Sequence, residues 1–197
     1  MAGPIWGTSY SAVTGPWEWD EFLLIPGSGD LLPPGEAQRI AQLGPIYPLS
    51  SVTLAQVTDG LSNTLLFGET DFTTWYGYWT LGDGYDTLVG TMAPPNVNAP
   101  VLAGWQPLSM MSLHPGGVNC TLGDGSVRFI KNSVNSWPYD PDMQWSPSLG
   151  WTPVFYVPYG RGKIAMQVPC ILPGAYVGVW QALSTRSFGE VISSDAY

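Results

Sequence analysis

The sequence predicts a mainly β (α+β) domain: an antiparallel sheet with one or two short helices and long loops. Three observations carry that expectation. Lys, Arg, Asp and Glu make up only 11% of the chain, against about a quarter in ordinary soluble domains, which leaves too few charges for the outer faces of long amphipathic helices. Glycine (24) and proline (19) break the 197 residues into short pieces, the pattern of strands joined by turns. Finally, residues 112–132 read as a hairpin. Pro115-Gly116-Gly117 punctuates the chain, Val118 to Leu122 alternates, Asp124-Gly125 supplies the positive φ angles of a two-residue turn, and Ser126 to Ile130 alternates again.

The remaining elements follow in chain order. Residues 1–45 read as a loop-rich N-terminal part with an acidic, aromatic stretch at Trp17-Glu-Trp-Asp-Glu21 and a short helix from about Glu36 to Leu43. Thr58-Asp-Gly-Leu-Ser-Asn-Thr64 is turn chemistry, and Leu65-Leu-Phe-Gly-Glu69 reads as a buried strand. Thr73 to Thr80 is aromatic and β-rich, Gly82 to Asp86 is a turn, and 92–107 is a proline-rich loop. After the hairpin comes a Trp/Pro-rich insert, 132–174. Val177, Trp180 and Leu183 lie at helical spacing, and Glu190 to Ser193 reads as a closing strand. With no fixed-period repeat, the whole chain, 1–197, reads as one domain.

Composition also excludes functions. A formal net charge of −9 with six scattered basic residues offers no phosphate-neutralising patch, so nucleic acid is not an expected partner. No apolar run reaches the ~20 residues of a transmembrane helix, so no transmembrane segment is expected in these residues. One histidine and two separated cysteines cannot build a zinc tetrahedron. Carboxylates at Glu18 to Glu21 and at Asp83 and Asp86 lack the spacing of a calcium loop, and no metal or cofactor is expected. Cys120 and Cys170 leave two alternatives open, a disulfide or two buried thiols.

Three ordered blocks resemble a known family. They are Thr58-Asp59-Gly60-Leu-Ser62-Asn63-Thr64-Leu-Leu-Phe-Gly68-Glu69, the segment from His114-Pro115-Gly116-Gly117 through Asn119 to Asp124-Gly125, and Gly178-Val-Trp-Gln-Ala-Leu-Ser-Thr-Arg186 running on to Glu190. Together they resemble the planctomycete-type prepilin-like family with the H-x9-DG signature, domain of unknown function 1559, also labelled solute-binding-protein-like family 10. The resemblance implies the globular head of a type IV pilin or pseudopilin, extracellular or at the cell surface or periplasm, with a structural or interaction role and no catalysis. The family's leader and long apolar helix have no counterpart in these residues, so the sequence reads as a head without its N-terminal pilin helix.

The candidate chemistry is limited. His114 and Asp124 are the natural general-base pair, but a five-residue strand separates them, about 16 Å at ~3.3 Å per residue, and places them at opposite ends. Asp124 is expected to hold its turn, and His114 to orient the loop approaching the first strand. No Gly-x-Ser-x-Gly elbow supports a serine nucleophile. Arg186 and Glu190 read as an ion pair pinning the last strand. A protein or polysaccharide partner is left open, and Trp137, Trp145 and Trp151 are the candidates for stacking on a sugar.

Overall fold

A computed structural model describes residues 9–16, 23–24, 43–47, 50–70, 88–97, 109–137, 155–159, 162–166, 177–187, 189, 192–193 and 197. The protein is mostly β. Strands β1 (Tyr10–Gly15), β3 (Leu65–Glu69), β4 (Leu88–Gly90), β5 (Gly117–Leu122) and β6 (Val127–Lys131) form a five-stranded sheet in the order β4-β1-β3-β5-β6. A three-stranded sheet consists of β2 (Leu23–Leu24), β8 (Gly162–Met166) and β7 (Phe155–Tyr159), in that order. The helical content among the described residues is slight: single 3-10 turns at Leu54–Gln56 and Leu61–Asn63, and one turn of α-helix, α1 (Val179–Ala182).

The larger sheet is mainly antiparallel, as expected, with one parallel pair. β1 with β3, β3 with β5 and β5 with β6 are antiparallel, but β4 runs parallel to β1. The chain between Glu69 and Leu88 is long enough to pass β1 and lay β4 on its far side, where no hairpin constrains direction.

Strand β1 falls in the part of the sequence read as loop, and the hairpin β7–β8 falls in the Trp/Pro-rich insert; neither strand group was expected. In the other direction, the helix expected over 177–184 shrinks to Val179–Ala182. Ile192 and Ser193 belong to no strand, so the expected closing strand is not formed there; Ile192 instead packs against the core. The strand expected over 73–80, the turn over 82–86 and most of the helix expected near 36–43 lie outside the described residues.

The 65–69 strand and the hairpin appear at their expected places, with one change at the tip. Leu122 N–H donates to Ser126 O (2.9 Å), so the loop holds three residues, Gly123 to Gly125, instead of two. Gly125 alone of the three takes a positive φ, +84°, the geometry of a three-residue hairpin with a left-handed third position.

One face of the sheet is the core. Val13, Leu65, Val89, Val118, Leu122 and Ile130 are buried there, closed over by Trp180 and Leu183. Gly68 sits among them because a side chain would run into Met110. A bulge between Leu65 and Phe67 then sets the register, so that Phe67 and Glu69 face the opposite, outer side with Asn119 and Thr121.

The helical turn closes the core with polar side chains as well as apolar ones. Gln181 Nε2 donates to Thr91 O (2.8 Å), Trp137 Nε1 to Met92 O (2.5 Å), Trp180 Nε1 to Ala93 O (2.8 Å) and Ser109 Oγ to Pro94 O (2.7 Å). Four successive carbonyls of an irregular, mostly buried segment are thereby satisfied without a neighbouring strand.

Candidate functional site

Strand β3 begins at the Asp59 turn and ends at Glu69, and β5 runs beside it in the opposite sense. The quoted motif residues therefore gather at two poles of one strand pair.

At the first pole, Glu69 ends β3 on the outer face with a side chain only 10% exposed. Asn119, its neighbour on β5, gives it both a backbone N–H (2.7 Å to Oε2) and a side-chain amide (3.1 Å to Oε1). Tyr10 on β1 donates its phenol from 3.3 Å, and His114 places Nε2 3.2 Å from Oε1. Burial pushes the Glu69 carboxyl up, but the Asn119 N–H and amide, the Ser112 hydroxyl and the His114 charge outweigh it and hold the group below its ordinary range. The Tyr10 phenol moves the other way, raised first by burial and then by the Glu69 charge.

The loop bearing His114 is itself pinned. Asn96, at φ +59°, accepts from Ser112 N–H through Oδ1 (2.7 Å) and donates through Nδ2 to Gly117 O (3.2 Å) and Asn132 Oδ1 (2.9 Å). Asn132 N–H closes on Gly116 O at 2.9 Å. His114 is thus carried on a short arch whose two feet are tied to the same asparagine, and its own side chain is 55% exposed.

At the second pole, Asp59 Oδ1 accepts from Gly189 N–H (2.8 Å) and Oδ2 from the Thr185 hydroxyl (3.1 Å). Thr64 Oγ1 donates to Gly60 O (3.1 Å) and lies 3.3 Å from Thr185 O; Asn63 Nδ2 reaches Asp59 O at 3.5 Å. Ser62 offers its carbonyl to the Tyr197 hydroxyl at 3.4 Å. The hairpin tip docks on the same turn, Gly123 N–H on Thr64 O (2.8 Å) and Asp124 N–H on Leu61 O (3.1 Å). Asp124 Oδ1 takes the Ser126 N–H (2.9 Å) and hydroxyl (2.6 Å). The Ser126 hydroxyl and then its N–H, helped by nearby Arg128, lower the Asp124 carboxyl from its usual range.

His114 and Asp124 accordingly stand at different poles with different partners: His114 meets Glu69, and Asp124 meets Ser126. The Pro115-Gly116-Gly117 turn separates His114 from β5, with Gly116 at φ +86°.

Arg186 is tied to residues 44–47 and to Thr58. Its guanidinium donates to Gly44 O (2.6 Å) and lies over the Tyr47 ring, 5.5 Å from the centroid, while its carbonyl accepts Thr58 N–H (2.7 Å). Glu190 lies outside the described residues. Trp137 is a correction: expected as an exposed stacking residue, it is 3% exposed and bonded to Met92 O, because the insert's first residues fold under the helical turn. Trp145 and Trp151 lie outside the described residues. Cys120 presents a free thiol, buried against Met110 (Sγ to Sδ 3.4 Å), and burial followed by the Glu69 charge pushes it up to about 12; Cys170 lies outside the described residues.

Among the described residues, no three of His, Cys, Asp and Glu converge in a way that could hold a metal ion, and no helix is long and apolar enough to cross a membrane. Tyr10, Asn96, Ser112 and Asn132 at the first pole, and Thr185 and Gly189 at the second, are participants to which sequence reasoning gave no role. Asn96 had a local signal, since Pro94-Pro95-Asn96 is turn chemistry and asparagine tolerates the left-handed backbone.

A family model described as a protein of unknown function, DUF1559, matches residues 26–136. The chain belongs to the DUF1559 family. No curated protein and no solved structure matches it. The DUF1559 span contains Asp59, Glu69, His114, Asn119 and Asp124, whereas Thr185 and Arg186 lie beyond it yet complete the Asp59 pole.

Proposed function

We infer that this DUF1559 protein is a non-enzymatic interaction module of the cell exterior, a pilin-like head whose motif residues build the scaffold. One observation supports this reading above the rest: the three described acidic motif side chains, Asp59, Glu69 and Asp124, are directed at groups of the fold itself. Glu69 is ringed by Asn119, Tyr10 and His114, Asp59 by Thr185 and Gly189, and Asp124 by Ser126. Carboxylates held this way fix strand register and turn geometry, and leave surface and loop residues to carry recognition. The resemblance of the three sequence blocks to prepilin-like proteins supports the exterior location.

The exterior location is tested by treating intact cells of the native host with protease and probing for the protein. Rapid degradation without lysis is the expected result. Protection until the cells are broken would overturn the reading.

A further inference from the structure

The two edges of the large sheet are finished differently. At one edge, Leu88, Val89 and Gly90 of β4 are all buried, and the Thr14 hydroxyl reaches Val89 O at 3.5 Å. At the other, four of the five β6 residues are exposed, Val127 to 64% and Phe129 to 44%.

The backbone of β6 is open as well. Leu122 N–H bonds Ser126 O and Asn132 N–H bonds Gly116 O. Hydrogen-bonded pairs alternate in an antiparallel ladder, so Arg128 and Ile130 bond to β5 while Val127 and Phe129 turn N–H and C=O outward. Among the described residues, no group bonds to them. An edge in this state is a template for one more strand.

Charge selects the occupant. In a chain with 15 acidic and six basic residues, β6 carries two of the basic ones, Arg128 and Lys131, and no acid. Two β6 edges paired with each other would bring two arginines and two lysines together with no acid in either strand, which disfavours a second copy. A strand alternating acidic and apolar residues fits: its acids share the Arg128 face, and its apolar residues share the face of Val127 and Phe129.

We propose that the free edge of β6 is a docking site for an extended peptide strand of alternating acidic and apolar residues. This deepens the interaction role by saying where a partner binds and of what chemistry it is. It rests on that role only in part, because peptide binding is read on purified protein and cell-surface exposure on intact cells.

The test is fluorescence anisotropy of a labelled peptide alternating valine and glutamate, with a valine–lysine peptide as control. The acidic peptide is expected to bind and to weaken as salt rises; the basic one is not expected to bind. Val127→Pro removes one outward N–H without touching the β5 ladder and should cut affinity about tenfold or more, a loss of ~1.4 kcal/mol. Arg128→Glu, which alters no backbone group and lies on the face the peptide's acids share, should weaken the acidic peptide and admit the basic one. Equal binding of both peptides, no binding at millimolar concentration, binding indifferent to both substitutions, or sedimentation showing that the edge pairs with a second copy would each overturn the proposal.

Discussion

Glu69 and Asn119 face each other across β3 and β5, and the asparagine gives the one carboxylate both its backbone N–H (2.7 Å) and its side-chain amide (3.1 Å). A charge-assisted pair of this kind bridges two strands at a point where the ladder is about to end, between the last residue of β3 and the third of β5. It also brings the Gly68-Glu69 end of the first motif block against the His114 block, through a register no local pattern encodes.

Acid should therefore unlock this end of the sheet. The folded-state pKa of Glu69 lies below its unfolded value, so its contribution is complete above about pH 4.3 and disappears as the pH falls through the lower, folded-state value. Glu69→Gln loses the charge and turns an amide donor toward Asn119, which should lower stability by about 1 to 3 kcal/mol at neutral pH. Urea unfolding of both proteins at pH 7 and pH 3 checks this: the gap between them should close in acid, and a gap independent of pH would contradict the assignment.

The partners of that carboxylate are unequal. His114 is more than half exposed, and its removal by His114→Ala should cost no more than about 1 kcal/mol, in line with solvent-screened ion pairs. Asn119→Ala removes a donor from an almost covered carboxylate and should cost more, about 1 to 3 kcal/mol. Thermal melts of the two variants side by side should rank them in that order.

The local features were the legible ones. The hairpin's turn residues and alternation lie within twenty residues, and Asp124 reaches an N–H two positions on; chemistry of that range is written in the sequence. What escaped was register and context. Tyr10-Ser-Ala-Val-Thr-Gly15 offers one large aliphatic side chain, Val13, to the core, and its strand character comes from the slot between β3 and β4. Glu69 meets His114 only because a bulge at Leu66 puts Glu69 on the outer face and Gly68 opposite Cys120. Trp137 read as an exposed aromatic because proline-rich surroundings resemble surface loops, yet a carbonyl of an irregular segment was waiting for its N–H.

That irregular segment depends on Gln181. The amide is fully buried, donating to Thr91 O (2.8 Å) and Ser136 Oγ (2.9 Å) and accepting Trp137 N–H (3.1 Å). Gln181→Leu keeps the bulk but orphans a carbonyl and an N–H, and should destabilise by about 2 to 4 kcal/mol. Leu54→Ala, at a site 65% exposed, is the control and should stay within about 0.5 kcal/mol. Denaturant titration of both gives the comparison.

Cys120 should behave as an inert thiol until the sheet opens. With its ionisation pushed up to about 12 by burial and by Glu69, only about one molecule in ten thousand carries the reactive thiolate at pH 8, and the sulfur is also shielded by Met110. In a Cys170→Ser variant, which leaves one thiol to follow, reaction with a chromogenic disulfide should be slow in buffer and fast in denaturant. Glu69→Gln removes the charge that helps raise the pKa but also loosens the sheet, so its effect on native labelling should follow opening and grow with added denaturant. Fast labelling of the folded Cys170→Ser protein would mean that the thiol is not sealed between β3, β5 and Met110.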